Sequence, residues 1–216
     1  MTGHGVDGTP SVTLLRDRLA SGALDALALV DSYIKRIEAR VGAWAWFDPE
    51  FARAQARTLD AHRRAGRPLG RLHGLPVALK DVIDTQRIPT ENGCVHDAGR
   101  VPLRDAFVVE RLRKEGAILM GKTVTTELAF MQPGKTVNPH NLAHTPGGSS
   151  QGSAAAVADG MVPLAIGTQT GGSVIRPASF CGVTGYKPTF GAIPRWGVLT
   201  QSPSLDTIGV FASDPA

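Results

Sequence analysis

The 216-residue chain has only two cysteines, Cys94 and Cys181, set far apart. Without a second pair or a metal-ligand spacing, they exclude a disulfide scaffold and a cysteine zinc site. Reduced thiols in a cytoplasmic protein are the expectation. No run is long and apolar enough to cross a bilayer. The stretch Met1 to Pro10 is polar and glycine-rich, without the apolar core of a signal peptide. Aromatic residues are scarce, and no basic run is interleaved with them. A net charge of +4 therefore does not point to direct nucleic-acid binding. Glycine and proline, by contrast, are plentiful at 25 and 15 residues and gather between His73 and Pro203, where turns and close backbone approaches are expected.

The first third reads as helices. Ser11 caps a helix over Val12 to Ala20 that Gly22 closes, and Leu24, Leu27, Val30, Ile34 and Ile37 recur at helical spacing to about Arg40. Asp48-Pro49 opens a third helix to about Ala65. Trp44, Trp46 and Phe47 are expected to anchor the core at a joint between helices. From Gly74 short apolar strands alternate with helices. Strands are expected at Leu75–Leu79, Ala117–Met120, Val162–Ile166 and Leu205–Phe211. Helices are expected at Asp105–Glu115 and from Ser149 or Ser150 to about Gly160. This alternation is that of an α/β domain on a central sheet. Residues 1–72 are expected to form a helical segment packing on a catalytic core of residues 73–216. At the end of the chain, Asp214-Pro215 reads as the start of a helix, so a C-terminally incomplete fold is expected.

Three motif matches fail on context. Gly116 to Thr123 fits the phosphate-loop pattern, but a helix precedes it and four apolar residues fill the loop positions, as in a buried strand. Gly148-Ser149-Ser150-Gln151-Gly152 fits a nucleophile elbow, but that mechanism needs a later histidine, and all six precede it. His140 and His144 lie four apart but are bracketed by Pro139 and Pro146, which makes them loop residues, not a zinc pair.

Three segments remain: Gly74-Leu-Pro-Val-Ala-Leu-Lys80-Asp81, Gly147-Gly-Ser149-Ser150-Gln151-Gly152-Ser153 and Gly167-Thr-Gln169-Thr170-Gly171-Gly172-Ser173. Taken singly they are a solvated lysine, a helix cap and a turn. Taken together they contain serines and, with histidine excluded, a lysine that can serve as base. To act near neutrality its pKa must come down from ~10.4 by roughly 2.5–3.5 pH units, on the order of 3–5 kcal/mol. Burial at the end of an apolar strand, away from carboxylates, shifts it that way. Asp81 is adjacent but belongs to the opposite face of the strand. The bare Thr170-Gly171-Gly172 turn can aim successive backbone N–H groups at one carbonyl oxygen, forming an oxyanion hole.

These segments, with Asn138-Pro139, Pro146 to Ser150, Phe180-Cys181-Gly182-Val183 and Gly185-Tyr186-Lys187-Pro188, resemble the amidase signature family from about Gly74 to Gly209. The resemblance implies a central mixed β-sheet flanked by helices. It also implies Lys80 as general base, Ser149 as bridging serine and Ser173 as acylated nucleophile, with no metal or cofactor. The implied reaction is hydrolysis of a small-molecule amide through an acyl-enzyme, releasing ammonia or an amine. Ser150 and Ser153 are expected to cap the following helix. Phe130 and Met131 are candidates for the substrate-facing wall, although core packing accounts for them equally well.

The chain departs from the family at Gln151, commonly glycine, which is expected to alter only the loop surface. Gln169 stands where many members have aspartate, and Arg176 lies three residues after Ser173 instead of two and is expected to be structural. These departures resemble free-standing amidases more than the related glutamine-hydrolysing subunits of tRNA-dependent amidotransferases. The length is about half the family's. Two alternatives therefore stand: a truncated non-catalytic fragment, and the glutamine-hydrolysing component of an amidotransferase. The partner expected is a homodimer mate or a missing C-terminal half, and no membrane.

Overall fold

The computed structural model describes residues 10–37, 39–213 and 215. Asp214, on which the expected terminal helix start depends, and Ala216 lie outside them. Helix α1 (Val12–Ser21) starts where the Ser11 hydroxyl accepts the Leu14 N–H at 3.2 Å, and it stops at the left-handed Gly22. Helix α2 (Ala26–Ile34) has no cap from its own Asp25. The buried Asp60 carboxylate, carried by α3 (Pro49–Arg64), accepts the Ala26 and Leu27 N–H groups instead, at 2.8 and 3.0 Å. The expected extension of α2 to about Arg40 is not formed. Three-residue hydrogen bonds from Arg36 to Tyr33 and from Ile37 to Ile34 turn the chain out of the helix, although Ile37 still packs on the core.

Trp44, Trp46 and Phe47 do not sit at a joint between helices. They form strand β1 (Trp44–Phe47), antiparallel to β3 (Ile118–Thr123). An aromatic run suits a half-buried sheet edge, and Trp44 packs against Phe47 and Trp46 against Phe51. The remaining strands are β2 (Pro76–Lys80), β4 (Leu164–Gln169), β5 (Thr184–Tyr186) and β6 (Thr207–Ala212). They build one six-stranded mixed sheet in the order β1-β3-β2-β4-β6-β5. Strands β2, β3 and β4 run parallel, and β6 is antiparallel to β4 and β5. The other α-helices among the described residues are α4 (Phe107–Lys114), α5 (Gln151–Ala158) and α6 (Ile175–Cys181).

The apparent phosphate-loop pattern is α4 followed by the buried strand β3, with Lys122 inside the strand. One apolar cluster lies between the sheet and α1, α2, α3 and α5, and the other lies on the opposite face with α4.

Helix α5 is the centre of the molecule, buried from Gln151 to Val157. Its glycine makes this possible: a Cβ on Gly152 would lie 2.2 Å from the Ala43 carbonyl oxygen and 2.5 Å from the Val124 nitrogen. Ser150 occupies the N-cap position, but its hydroxyl makes no cap bond, and Ser153 lies inside the helix. The Ser150 hydroxyl donates to the Thr168 carbonyl at 3.2 Å, and the Ser153 hydroxyl meets the Ile166 carbonyl and the Thr123 hydroxyl at 3.1 and 2.7 Å. Both serines stitch the helix to β4 and β3, because a helix laid flat on a sheet must satisfy every buried hydroxyl there.

Candidate active site

In a sheet with parallel central strands, loops at the carboxyl ends gather on one edge. Here β2 ends at Lys80 and β4 runs out through Gln169 into the Thr170–Ser173 turn, while the 147–150 loop leads into α5. Lys80 is fully buried and its Nζ donates to the Ser149 Oγ at 2.7 Å and to the Thr168 Oγ1 at 2.9 Å. Burial pushes the amine down to about 7, against a smaller opposing pull from the Asp206 carboxylate. The expectation of a lysine away from carboxylates is thus corrected by Asp206. Register explains it: Gln169 pairs with Thr207, so Asp206 lies beside the Thr170 that leaves β4. Asp81 turns the other way and faces the buried Lys122 at 3.7 Å. Burial raises Asp81 to about 6 and lowers Lys122 to about 8, each opposed by the charge of the other.

Ser149 is buried and follows a cis Gly148–Ser149 peptide. Ser173 is 8% exposed, and its carbonyl accepts the Ser150 N–H at 3.4 Å. Lys80 and Ser149 are therefore joined directly. The Ser173 hydroxyl makes no hydrogen bond among the described residues, so the contact between the two serines is open. Beyond Gln169 the turn is held from within. The Gln169 Oε1 accepts the Val174 and Ile175 N–H groups at 2.8 and 3.0 Å, and its Nε2 donates to the Gly171 carbonyl at 3.3 Å. The N–H groups of Gly171, Gly172 and Ser173 donate to no described residue. A Cβ on Gly171 would meet nothing within 4 Å, so the space above the turn is open. The Thr170 hydroxyl is committed to Asp206 and Gln201.

Phe130 and Met131 are not core residues, being 68% and 71% exposed. With Pro133, Gln151, Arg176 and Phe180 they line a cavity of about 280 Å³ that includes Gly147 and Gly148. Gln151 is not a loop-surface residue either. It is 2% exposed, and its side chain accepts the Gly134 N–H at 2.8 Å, pinning the cavity wall to α5. Arg176 Nε donates to the Gly148 carbonyl at 3.0 Å. His140 is used in the loop, its Nε2 lying 2.8 Å from the Cys181 carbonyl. Among the described residues no group of three His, Cys, Asp or Glu side chains could hold a metal ion, and no helix is long and apolar enough to cross a membrane. The roles of Thr168, Asp206 and Lys122 are not evident from the sequence, because each depends on a partner far away along the chain.

A mixed sheet with a buried lysine held to a loop serine at its carboxyl edge defines the amidase-signature class of α/β protein. The chain belongs to the Amidase family, whose model matches residues 28–214. In sequence it is 43% identical over 211 residues to the A subunit of the glutamyl-tRNA(Gln) amidotransferase of Chloroflexus aurantiacus, covering 94% of this chain and 43% of that protein. In structure it matches a crystal structure of an amidase with a TM-score of 0.89 at 36% identity, covering 94% of this chain and 49% of that one. It also matches the native peptide amidase from Stenotrophomonas maltophilia with a TM-score of 0.86 at 36% identity, covering 94% and 45%. The chain spans less than half the length of these relatives.

Proposed function

We propose that this chain carries the catalytic groups of an amide hydrolase, with Ser173 as nucleophile, Ser149 as proton relay and Lys80 as general base. The observation that carries this reading is the 2.7 Å contact between a fully buried Lys80 amine and the Ser149 hydroxyl. An amine held at about 7 is neutral in a large fraction of molecules near neutral pH. In that state the contact reverses: the Ser149 O–H donates to the Nζ lone pair, while an Nζ–H remains on Thr168. Substrate binding closes the gap between the serines, as commonly happens when apo geometry is looser than the reacting complex. Ser173 Oγ then attacks the amide carbon and passes its proton through Ser149 to Lys80. The backbone N–H groups of the Thr170-Gly171-Gly172 turn, beside the nucleophile, provide donors for the developing oxyanion. The proton returns to the departing nitrogen as the C–N bond breaks, leaving an ester on Ser173. Water attacks this ester by the same relay and releases the carboxylic acid. Phe130 and Met131 form the wall against which the substrate packs.

A serine-directed fluorophosphonate tests the assignment. The modified peptide found by mass spectrometry is expected to contain Ser173, with labelling lost in Ser173→Ala. Undiminished labelling in that variant would sink it.

The likeness to an amidotransferase component supports a second reading, in which the amide is that of glutamine and the ammonia passes to a partner. Glutaminase activity that rises only when such a partner is added favours this reading, while activity on simple amides without one favours a free-standing amidase.

A further inference from the structure

We propose that Asp206 is a positioning residue for this site, holding the first residue of the oxyanion turn by hydrogen bond while its carboxylate acts on the Lys80 amine. The proposal rests on the role of Lys80 as base given above. Asp206 immediately precedes β6, is 5% exposed, and is surrounded by donors. Its Oδ1 accepts the Thr170 hydroxyl, and its Oδ2 accepts the Gln201 and Ser202 N–H groups at 2.8 and 2.9 Å. The Arg195 Nη1 also donates to Oδ2, at 3.4 Å, as an ion pair.

Asp206 lines one small cavity together with Thr168, Thr170 and Thr207. The Thr168 hydroxyl on its wall is the second partner of Lys80 Nζ. One residue thus touches both functions, through Thr170 on the oxyanion turn and through its field on the base.

The other charged groups around Lys80 are accounted for. On its own strand end, Asp81 faces Lys122, and on β3, Lys122 is held by Ile83, Thr90 and Asp81. The part of β4 facing it offers only the Thr168 hydroxyl, and the loop before α5 only the Ser149 hydroxyl. Among the described residues, Asp206 is the carboxylate whose charge opposes the loss of the Lys80 proton. It moderates the effect of burial, so that the amine is neutral often enough to act yet basic enough to pull a proton from serine.

The test reads Lys80 directly, without relying on activity. The chain is labelled with 13C at the lysine Cε positions, and the Lys80 resonance, assigned through its absence in Lys80→Met, is followed with pH. In Asp206→Asn the midpoint is expected to fall by about half a pH unit or more. In Arg195→Gln, which frees the carboxylate from a competing cation, it is expected to rise, and Asp206→Asn/Arg195→Gln should match Asp206→Asn alone. Opposite shifts of this kind are not produced by loosened packing. An unmoved midpoint in Asp206→Asn overturns the proposal. Should that variant not fold by circular dichroism, an unmoved or lowered midpoint in Arg195→Gln overturns it instead. Ser173 labelling, measured separately on the parent chain, shows whether the hydrolase reading itself stands.

Discussion

At the scale of single residues, the site depends on placing a lysine where its charge is unwelcome. Burial holds the Lys80 amine at about 7 in the folded chain, against about 10.4 in an unfolded one. Between those values the unfolded chain binds the extra proton. The Lys80 contribution to stability therefore rises with pH across that window and is least favourable below it. Lys122, lowered to about 8, adds in the same sense. Lys80→Met relieves the first burden and leaves the second. It is expected to be more stable than the parent by about 1–3 kcal/mol at about pH 6, after allowing for lost bonds to Ser149 and Thr168. The gain should shrink towards about pH 9, and urea melts at the two pH values check this. A gain that grew with pH would contradict a lysine destabilised by burial. The lysine and serines are legible in the sequence because each sits in a bare, glycine-rich or apolar segment that has little other use for it. Thr168 and Asp206 are not, since a threonine in a strand and an aspartate before one have ordinary explanations until the fold sets the Thr168 hydroxyl on Lys80 and the β4–β6 register sets Asp206 beside Thr170.

At the scale of elements, local signals decide what is legible. Helices α1 and α3 carry their own start signals in Ser11 and Asp48-Pro49, and both begin there. Strand β5 has three residues and α6 has seven with Pro177 near its start, too short for a period to show. The N-terminus of α2 is capped from α3, by Asp60, so no local motif marks the device. Asp60→Ala leaves one buried and one partly buried N–H group unpaired and is expected to cost about 2–4 kcal/mol in a denaturant melt. A loss within experimental error would show that water replaces the carboxylate. Gly152 is a more severe case, since the atoms a Cβ would strike belong to the backbone at Ala43 and Val124 and cannot swing away. Gly152→Ala is expected to lose about 2–4 kcal/mol and to displace Ser149 and Ser150 with the start of α5. Its reactivity at Ser173 should therefore fall together with its stability.

At the scale of the whole molecule, one sheet carries both apolar clusters, and the proposed catalytic groups come from its two central strands and from the loops beside them. Such a chain is expected to lose helix, sheet and tryptophan burial in a single transition, seen at the same temperature by circular dichroism and by fluorescence. Two separated transitions would mean that the helices over residues 12–64 and the sheet are independent units. The α/β class is legible because strand and helix periods alternate from Gly74 onward. The membership of β1 in the sheet is not, because its aromatic run lies among helices and pairs with residues more than seventy positions away. The central claim is that a buried lysine drives acylation of a serine it reaches through a second one. The pH dependence of Ser173 acylation tests this most directly, measured as the rate of fluorophosphonate labelling in the parent and in Lys80→Ala. The predicted result is a rate that climbs with pH to a plateau, with a midpoint near 7, and a slow rate without that limb in the variant. The same limb surviving in Lys80→Ala would contradict it.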